Sequence, residues 1–288
     1  MPHYKDLFFK SHDDLTLYAR DYSAQACAPT LIFIPGLTRN SADFEELCET
    51  LAGDFRLLAV DLRGRGRSAI DPNPENYHPA TYAQDIASLL QAEGIDSAIF
   101  IGTSLGGLVA MTLAATAPVV VLGIVLNDVG PEVNPVGLAR IRSYVSNPAR
   151  VKSWHEAVDE TRALQEEALP GLSDLQWQEF TKRLYQEDKD GRPVLNFDPG
   201  ISKLFEAQDA DATPLDLWPL FESLSGIPLL VIRGAHSDIL SAEVLAKMAS
   251  AHPSMESFEV EGRGHAPLLN EVGVVPAIKS FLEQFTAA

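Results

Sequence analysis

The chain has 288 residues, 46% of them hydrophobic, and a formal net charge of -18. That length and apolar content suffice for a large buried core, and the even spread of aromatic and aliphatic residues excludes a disordered chain. Such acidity repels phosphate backbones and anionic lipid surfaces, so neither nucleic acid nor membrane is expected as a partner. The cysteines, Cys27 and Cys48, make neither a disulfide framework nor a four-ligand zinc site, and point to a reducing, cytoplasmic setting. Residues 1–15 lack a charged start followed by an apolar stretch, so no leader is expected, and the longest apolar run, 118–126, is too short to span a bilayer.

Taken in chain order, the pattern changes period repeatedly. Segments 5–10 and 15–21 read as short strands joined by a polar turn at Asp13 and Asp14. The continuous apolar run 30–34 suits a strand buried on both faces of a sheet. Segment 41–51 reads as a helix, with Ser41 placed to cap it and Glu45 and Glu46 in its first turns. Strands at 55–62, 97–101 and 119–126 then alternate with helices at 82–91 and 105–115. The alternation resumes late, with a strand at 228–233, a helix at 242–251, a strand at 257–261 and a closing helix at 274–285. Apolar strands alternating with helices predict an α/β fold, a doubly wound, mostly parallel sheet with helices on both faces.

Between 131 and 213 the alternation stops, and the pattern reads as helices around 136–145, 154–169, 174–185 and 201–208. The expected organisation is a core domain from 1–130 and 214–288, interrupted by a helical insertion at 131–213. The insertion follows a strand whose C-terminal end should lie near the ligand crevice of such a sheet. Its Trp154, Trp177, Phe180, Tyr185 and Phe205 stand at helical spacing and read as packing residues, with one or two left to face a ligand. Segment 214–224, with Trp218, reads as a helix packed on the sheet.

The strongest chemical signal is Gly102-Thr103-Ser104-Leu105-Gly106, placed between a strand and a helix. A serine on that tight turn is presented at the top of the sheet, with the helix N-terminus beneath it and the Leu105 N–H aimed where an oxyanion would form. The pentapeptide alone is common; its context gives it weight. The run Leu31 to Leu37 ends a buried strand in a Pro35-Gly36-Leu37 loop that can offer a second N–H from Leu37. Late in the chain, Gly234-Ala235-His236-Ser237-Asp238 follows one strand and Gly262-Arg263-Gly264-His265 the next. A serine hydroxyl needs a base, and a histidine base needs a carboxylate to fix its tautomer. The order Ser104, Asp238, His265 satisfies both needs, with Asp238 preferred over Asp128 because its loop directly precedes the histidine strand.

On these motifs the chain resembles the α/β-hydrolase superfamily, in its serine esterase, lactonase and carbon–carbon hydrolase branches. The loop Asp61-Leu62-Arg63-Gly64-Arg65-Gly66-Arg67-Ser68 adds to the resemblance. It implies an eight-stranded sheet, a cap over the pocket built from the insertion, Ser104 as nucleophile, His265 as base, Asp238 as acid, and Leu37 and Leu105 as oxyanion-hole donors. Pro35-Gly36 stands where many members carry His-Gly. The expected activity is hydrolysis of a small carboxylic ester or lactone, without cofactor. Carbon–carbon cleavage of a ring-cleavage dienoate uses the same triad and stays open, as does a non-catalytic ligand-binding role on the same fold.

Two other readings of these residues are weaker. Gly64 to Ala69 formally matches a dinucleotide fingerprint, but proline-rich 71–79 stands where the phosphate-binding helix should start. His236, Asp238 and His265 lack a second closely spaced histidine pair, so no metal is expected.

Overall fold

The computed structural model describes residues 4–22, 29–203 and 216–286. Ten strands and nine helices are named here among those residues. The strands are β1 (Lys5–Lys10), β2 (Thr16–Tyr22), β3 (Thr30–Ile34), β4 (Arg56–Asp61), β5 (Ala98–Thr103), β6 (Val121–Asn127), β7 (Tyr185–Glu187), β8 (Pro193–Leu195), β9 (Leu229–Gly234) and β10 (Glu256–Val260). The helices are α1 (Glu45–Leu51), α2 (Pro79–Glu93), α3 (Leu105–Thr116), α4 (Pro135–Ser146), α5 (Trp154–Gln165), α6 (Asp174–Leu184), α7 (Trp218–Glu222), α8 (Ala242–Ala251) and α9 (Val274–Glu283).

The main sheet has eight strands in the order β1-β2-β4-β3-β5-β6-β9-β10. The β1–β2 and β2–β4 pairs are antiparallel and the others parallel, so the expected mostly parallel, doubly wound sheet is what the chain forms. The continuous apolar strands explain it. Along β3, Ile32 and Ile34 join a core on one face with Phe100, Leu126 and Val231, under α2, α3 and α8. Leu31 and Phe33 join the other core with Ile99, Val125 and Ile232, under α1 and α9. A strand that packs on both faces has no solvent side, and alternation disappears from its sequence.

The stretch between β6 and β9 carries α4, α5 and α6, and a short antiparallel hairpin of β7 and β8 that the helical pattern does not predict. A small cluster of Ala168, Leu169, Trp177 and Phe180 packs within it. The helix expected at 201–208 lies largely outside the described residues; 199–202 form a 3-10 turn. At the first helix, Asn40 rather than Ser41 supplies the cap, accepting from Ala42 N–H, and 41–44 are 3-10 before α1 begins. No helix among the described residues is long and apolar enough to cross a membrane.

The parallel register brings the C-terminal ends of β3, β5, β6 and β9 to one edge of the sheet. Every chemically notable loop of the sequence leaves from that edge.

Candidate active site

Ser104 sits between β5 and α3 at φ 52°, ψ -115°, a conformation that side-chain-bearing residues seldom adopt and that turns its hydroxyl out of the sheet. The flanking glycines are required by contact. A Cβ on Gly102 would fall 2.4 Å from the Gly106 carbonyl group, and one on Gly106 would fall 2.0 Å from the Ile34 carbonyl oxygen. The turn is also tied to the neighbouring strand, since Ser104 N–H donates to Asn127 O at 2.9 Å.

His265 lies on the loop after β10. Its Nε2 is 2.9 Å from Ser104 Oγ, and its Nδ1 is 2.8 Å from Asp128 Oδ2. Asp128, immediately after β6, is completely buried and has φ 58°, a left-handed conformation that aspartate tolerates better than most residues. Its carboxylate is fully engaged. Oδ1 accepts Gly234 N–H at 2.9 Å, and Oδ2 accepts the Ser237 hydroxyl at 2.6 Å as well as His265 Nδ1. Burial of a carboxylate is tolerated only with such partners, and here both oxygens have them.

Asp238, the carboxylate expected at this position, is placed elsewhere, and that expectation is corrected. Its side chain faces α4, where Arg140 binds it in a two-pronged pair at 2.6 and 2.9 Å. The pair is about one-third exposed. Burial alone would push the Asp238 carboxyl up, but the Arg140 hydrogen bonds and charge outweigh it and hold the group below its usual range. The weaker of the two sequence candidates, Asp128, is the one in contact with His265. Both stand at strand ends, and what separates them is a cation 98 positions earlier in the chain that claims Asp238. Ser237, in the same loop, also reaches Asp128, and an inward-facing hydroxyl there carries no sequence signal.

The two expected oxyanion-hole donors border the serine. Leu105 opens α3, so its N–H is one of the first-turn amides that have no acceptor within the helix. The Gly36-Leu37 loop lies alongside, where a Cβ on Gly36 would be 3.9 Å from Ser104 Cβ. Arg65, itself buried, fixes the far side of that loop by donating from Nε to Leu37 O at 2.8 Å, and its Nη1 is held by Arg63 O and Tyr82 Oη.

The rest of the arginine-rich loop is structural. Arg63 is fully buried and donates to Asp13, Asp71 and Asp85, while Arg67 reaches Asp6. The Arg63 and Arg67 side chains are thus engaged within the fold, and α2 begins only at Pro79. The described residues contain one cluster with ligand atoms close enough for a metal, His12, Asp13 and Asp85. Arg63 already donates to both of its carboxylates, so a cation would have to displace a buried guanidinium.

Above Ser104 and His265 is a cavity of about 150 Å³. The sheet side supplies Leu37, Thr38, Arg39 and Thr103, and the insertion supplies Ile141, Tyr144, Leu164, Phe180 and Phe197. The wall is mainly apolar, as in most small-molecule sites. Arg39 is neutralised by a bidentate pair with Asp43 and lies 4.2 Å over the Phe180 ring. Burial pushes the Tyr144 hydroxyl up, so it remains a neutral hydrogen-bonding group. Of the aromatics expected from the sequence, Phe180 and Tyr185 border the cavity and Trp177 is buried against Phe180, while Phe205 lies outside the described residues.

Residues 29–272 match the model of the alpha/beta hydrolase fold family. A crystal structure of an alpha/beta hydrolase from Novosphingobium aromaticivorans is 43% identical, with 99% of each chain covered and a TM-score of 0.92. The 3-hydroxybutyrate-oligomer hydrolase of Cupriavidus necator is 32% identical over 82% of each chain. The 2-(acetamidomethylene)succinate hydrolase of Mesorhizobium japonicum is 29% identical over 96% of each chain.

Proposed function

The chain belongs to the alpha/beta hydrolase fold family, and from that premise we propose that it is a serine hydrolase cleaving a small carboxylic ester or lactone through an acyl-enzyme. One observation carries this reading. Ser104, His265 and Asp128 form a continuous hydrogen-bonded line at the floor of a lined cavity.

In this mechanism His265 Nε2 takes the Ser104 proton as Oγ attacks the carbonyl carbon. Asp128 holds the other ring nitrogen as a donor and stabilises the imidazolium without itself taking the proton. The Leu37 and Leu105 amides receive the oxyanion of the tetrahedral intermediate. Fixed donors of this kind act on charge that develops only in the transition state. The imidazolium then protonates the leaving alcohol, and the same base activates the water that releases the acid. For a lactone, the alcohol stays tethered and the product is a single hydroxy acid.

The mainly apolar wall and the internally paired Arg39 favour an uncharged aliphatic ester near the reacting bond. The Cupriavidus necator relative acts, by its name, on 3-hydroxybutyrate oligomers, so short 3-hydroxyacid esters belong among the substrates to be tried. The place of action we propose is the cytoplasm, on the sequence's sparse cysteines. The test is twofold. A fluorophosphonate should modify the wild-type protein at Ser104, and short p-nitrophenyl esters, lactones and 3-hydroxybutyrate dimers should be turned over by the wild type and not by Ser104→Ala. Undiminished turnover by Ser104→Ala, or modification at another residue, contradicts the reading; a preference for dienoates over every ester would replace it with carbon–carbon hydrolysis.

A further inference from the structure

We propose that Ser237 is a positioning residue for the reaction: its hydroxyl, locked by two backbone amides, acts on His265 through Asp128 and sets the pH range in which the base is competent. The inference rests on the triad reading above and adds a fourth group to it.

The direction of the Ser237 proton follows from the bonds around it. A hydroxyl offers one donor and two acceptor positions. Ser237 Oγ accepts the N–H of Ile239 at 3.1 Å and of Leu240 at 2.9 Å. Both acceptor positions are thereby taken, and the remaining O–H points to Asp128 Oδ2 at 2.6 Å. That oxygen is the one that accepts His265 Nδ1. Two donors therefore share a single oxygen of a buried carboxylate, and the strength of one bond depends on the other.

The loop holding Ser237 is braced from both sides. Its own Ser237 N–H donates to Gly234 O at 2.9 Å, and Asn134 N–H, just before α4, donates to Ile239 O at 3.0 Å. The fit at α4 is close, since a Cβ on Gly137 would fall 2.1 Å from Asp238 O. Arg140 on the same helix grips Asp238. The hydroxyl is consequently held where it is, not merely able to reach.

The consequence for the base has a definite sign. A donor on Asp128 Oδ2 withdraws part of the negative charge that would otherwise stabilise an imidazolium at His265. Without it the imidazolium is favoured to higher pH, and the neutral base becomes scarcer on the acid side. The other charges near His265 are Asp238 on the β9 loop, paired with Arg140 from α4, the Arg263–Glu271 pair on its own loop, and, lining the same cavity, the Arg39–Asp43 pair, Arg183 (paired with Glu46) and Glu160. Asp238 favours the imidazolium, so removing its charge acts in the opposite direction.

The experiment is the rate of fluorophosphonate modification of Ser104 as a function of pH, which needs no knowledge of the substrate. Ser237→Ala should move the acid limb of the profile to higher pH by about half to one unit, less than the roughly one to two units that a full hydrogen bond to a charged group represents, because the ring feels the loss only through Asp128. Asp238→Asn should not move it upward. A limb for Ser237→Ala that overlays the wild type, whatever happens to the plateau, overturns the proposal. So does an equal upward move in both variants, which would mark a common disturbance of the loop. Should Ser237→Ala fail to fold, Ser237→Cys fills the same space with a weak donor; the limb is again expected to rise, and an overlay again overturns the proposal. Failure of the underlying triad reading shows separately, as absence of modification at Ser104 in the wild type.

Discussion

Two carboxylates stand at the C-terminal ends of adjacent strands, Asp128 after β6 and Asp238 after β9, and the molecule treats them differently. Asp128 is fully buried and receives Gly234 N–H, the Ser237 hydroxyl and His265. Asp238 is partly exposed and neutralised by Arg140 of the insertion. One carboxylate is held against His265, and the other fastens α4 to the β9 loop. Position at a strand end therefore makes a carboxylate available; its partners decide what it does.

The sharpest way to break the comparison is to remove the partner that only one of them has. His265→Ala should lower turnover of an ester substrate by about 10⁶-fold, as loss of the base does in a serine triad. Adding Asp128→Asn to it should then cost almost nothing, because the carboxylate works only through the ring. A further large loss in the double variant would show that Asp128 acts by another route.

A smaller effect is expected at Gly234, whose amide serves Asp128. A Cβ there would fall 2.5 Å from Gly264 O and 2.6 Å from Arg263 O. Gly234→Ala should push the histidine loop away from β9, costing about 1–3 kcal/mol of stability in denaturant unfolding along with a fall in the Ser104 modification rate. Wild-type stability would mean that the histidine loop yields to the methyl group without cost, against the close contacts of Gly234 with Arg263 O and Gly264 O.

The smallest effect is expected at the tether. Arg140→Gln should cost about 0.2–1 kcal/mol, the range of partly exposed ion pairs. Because the Asp238 carboxyl is held below its usual range in the folded protein, the contribution of the pair is present at neutral pH. It is lost as pH falls through that lowered value, so the gap between wild type and Arg140→Gln should shrink below about pH 4. Unfolding curves at several pH values check it; a gap that persists in acid would assign the effect to packing rather than charge.

Much of this was legible in the sequence, for identifiable reasons. β3, β5, β6 and β9 wrote themselves as apolar runs because both of their faces are covered. Ser104 was legible because the elbow needs small residues on both sides, and Gly102 and Gly106 each abut backbone atoms. The hairpin of β7 and β8 was missed because strands of three residues are too short to show a period. The Asn40 cap was missed because Asn and Ser stand next to each other and either can cap a helix. The choice between Asp128 and Asp238 could not be made from residue type or strand order. It depends on where a side chain turns, and that is set by an arginine distant in sequence and by a hydroxyl that no motif marks.

The most direct test of the account compares Asp128→Asn and Asp238→Asn side by side in the rate of fluorophosphonate modification of Ser104 at neutral pH. Asp128→Asn should lower the rate by about 10⁴-fold, the scale seen when a triad carboxylate is neutralised, and Asp238→Asn should change it only a few-fold. The reverse ranking would contradict it.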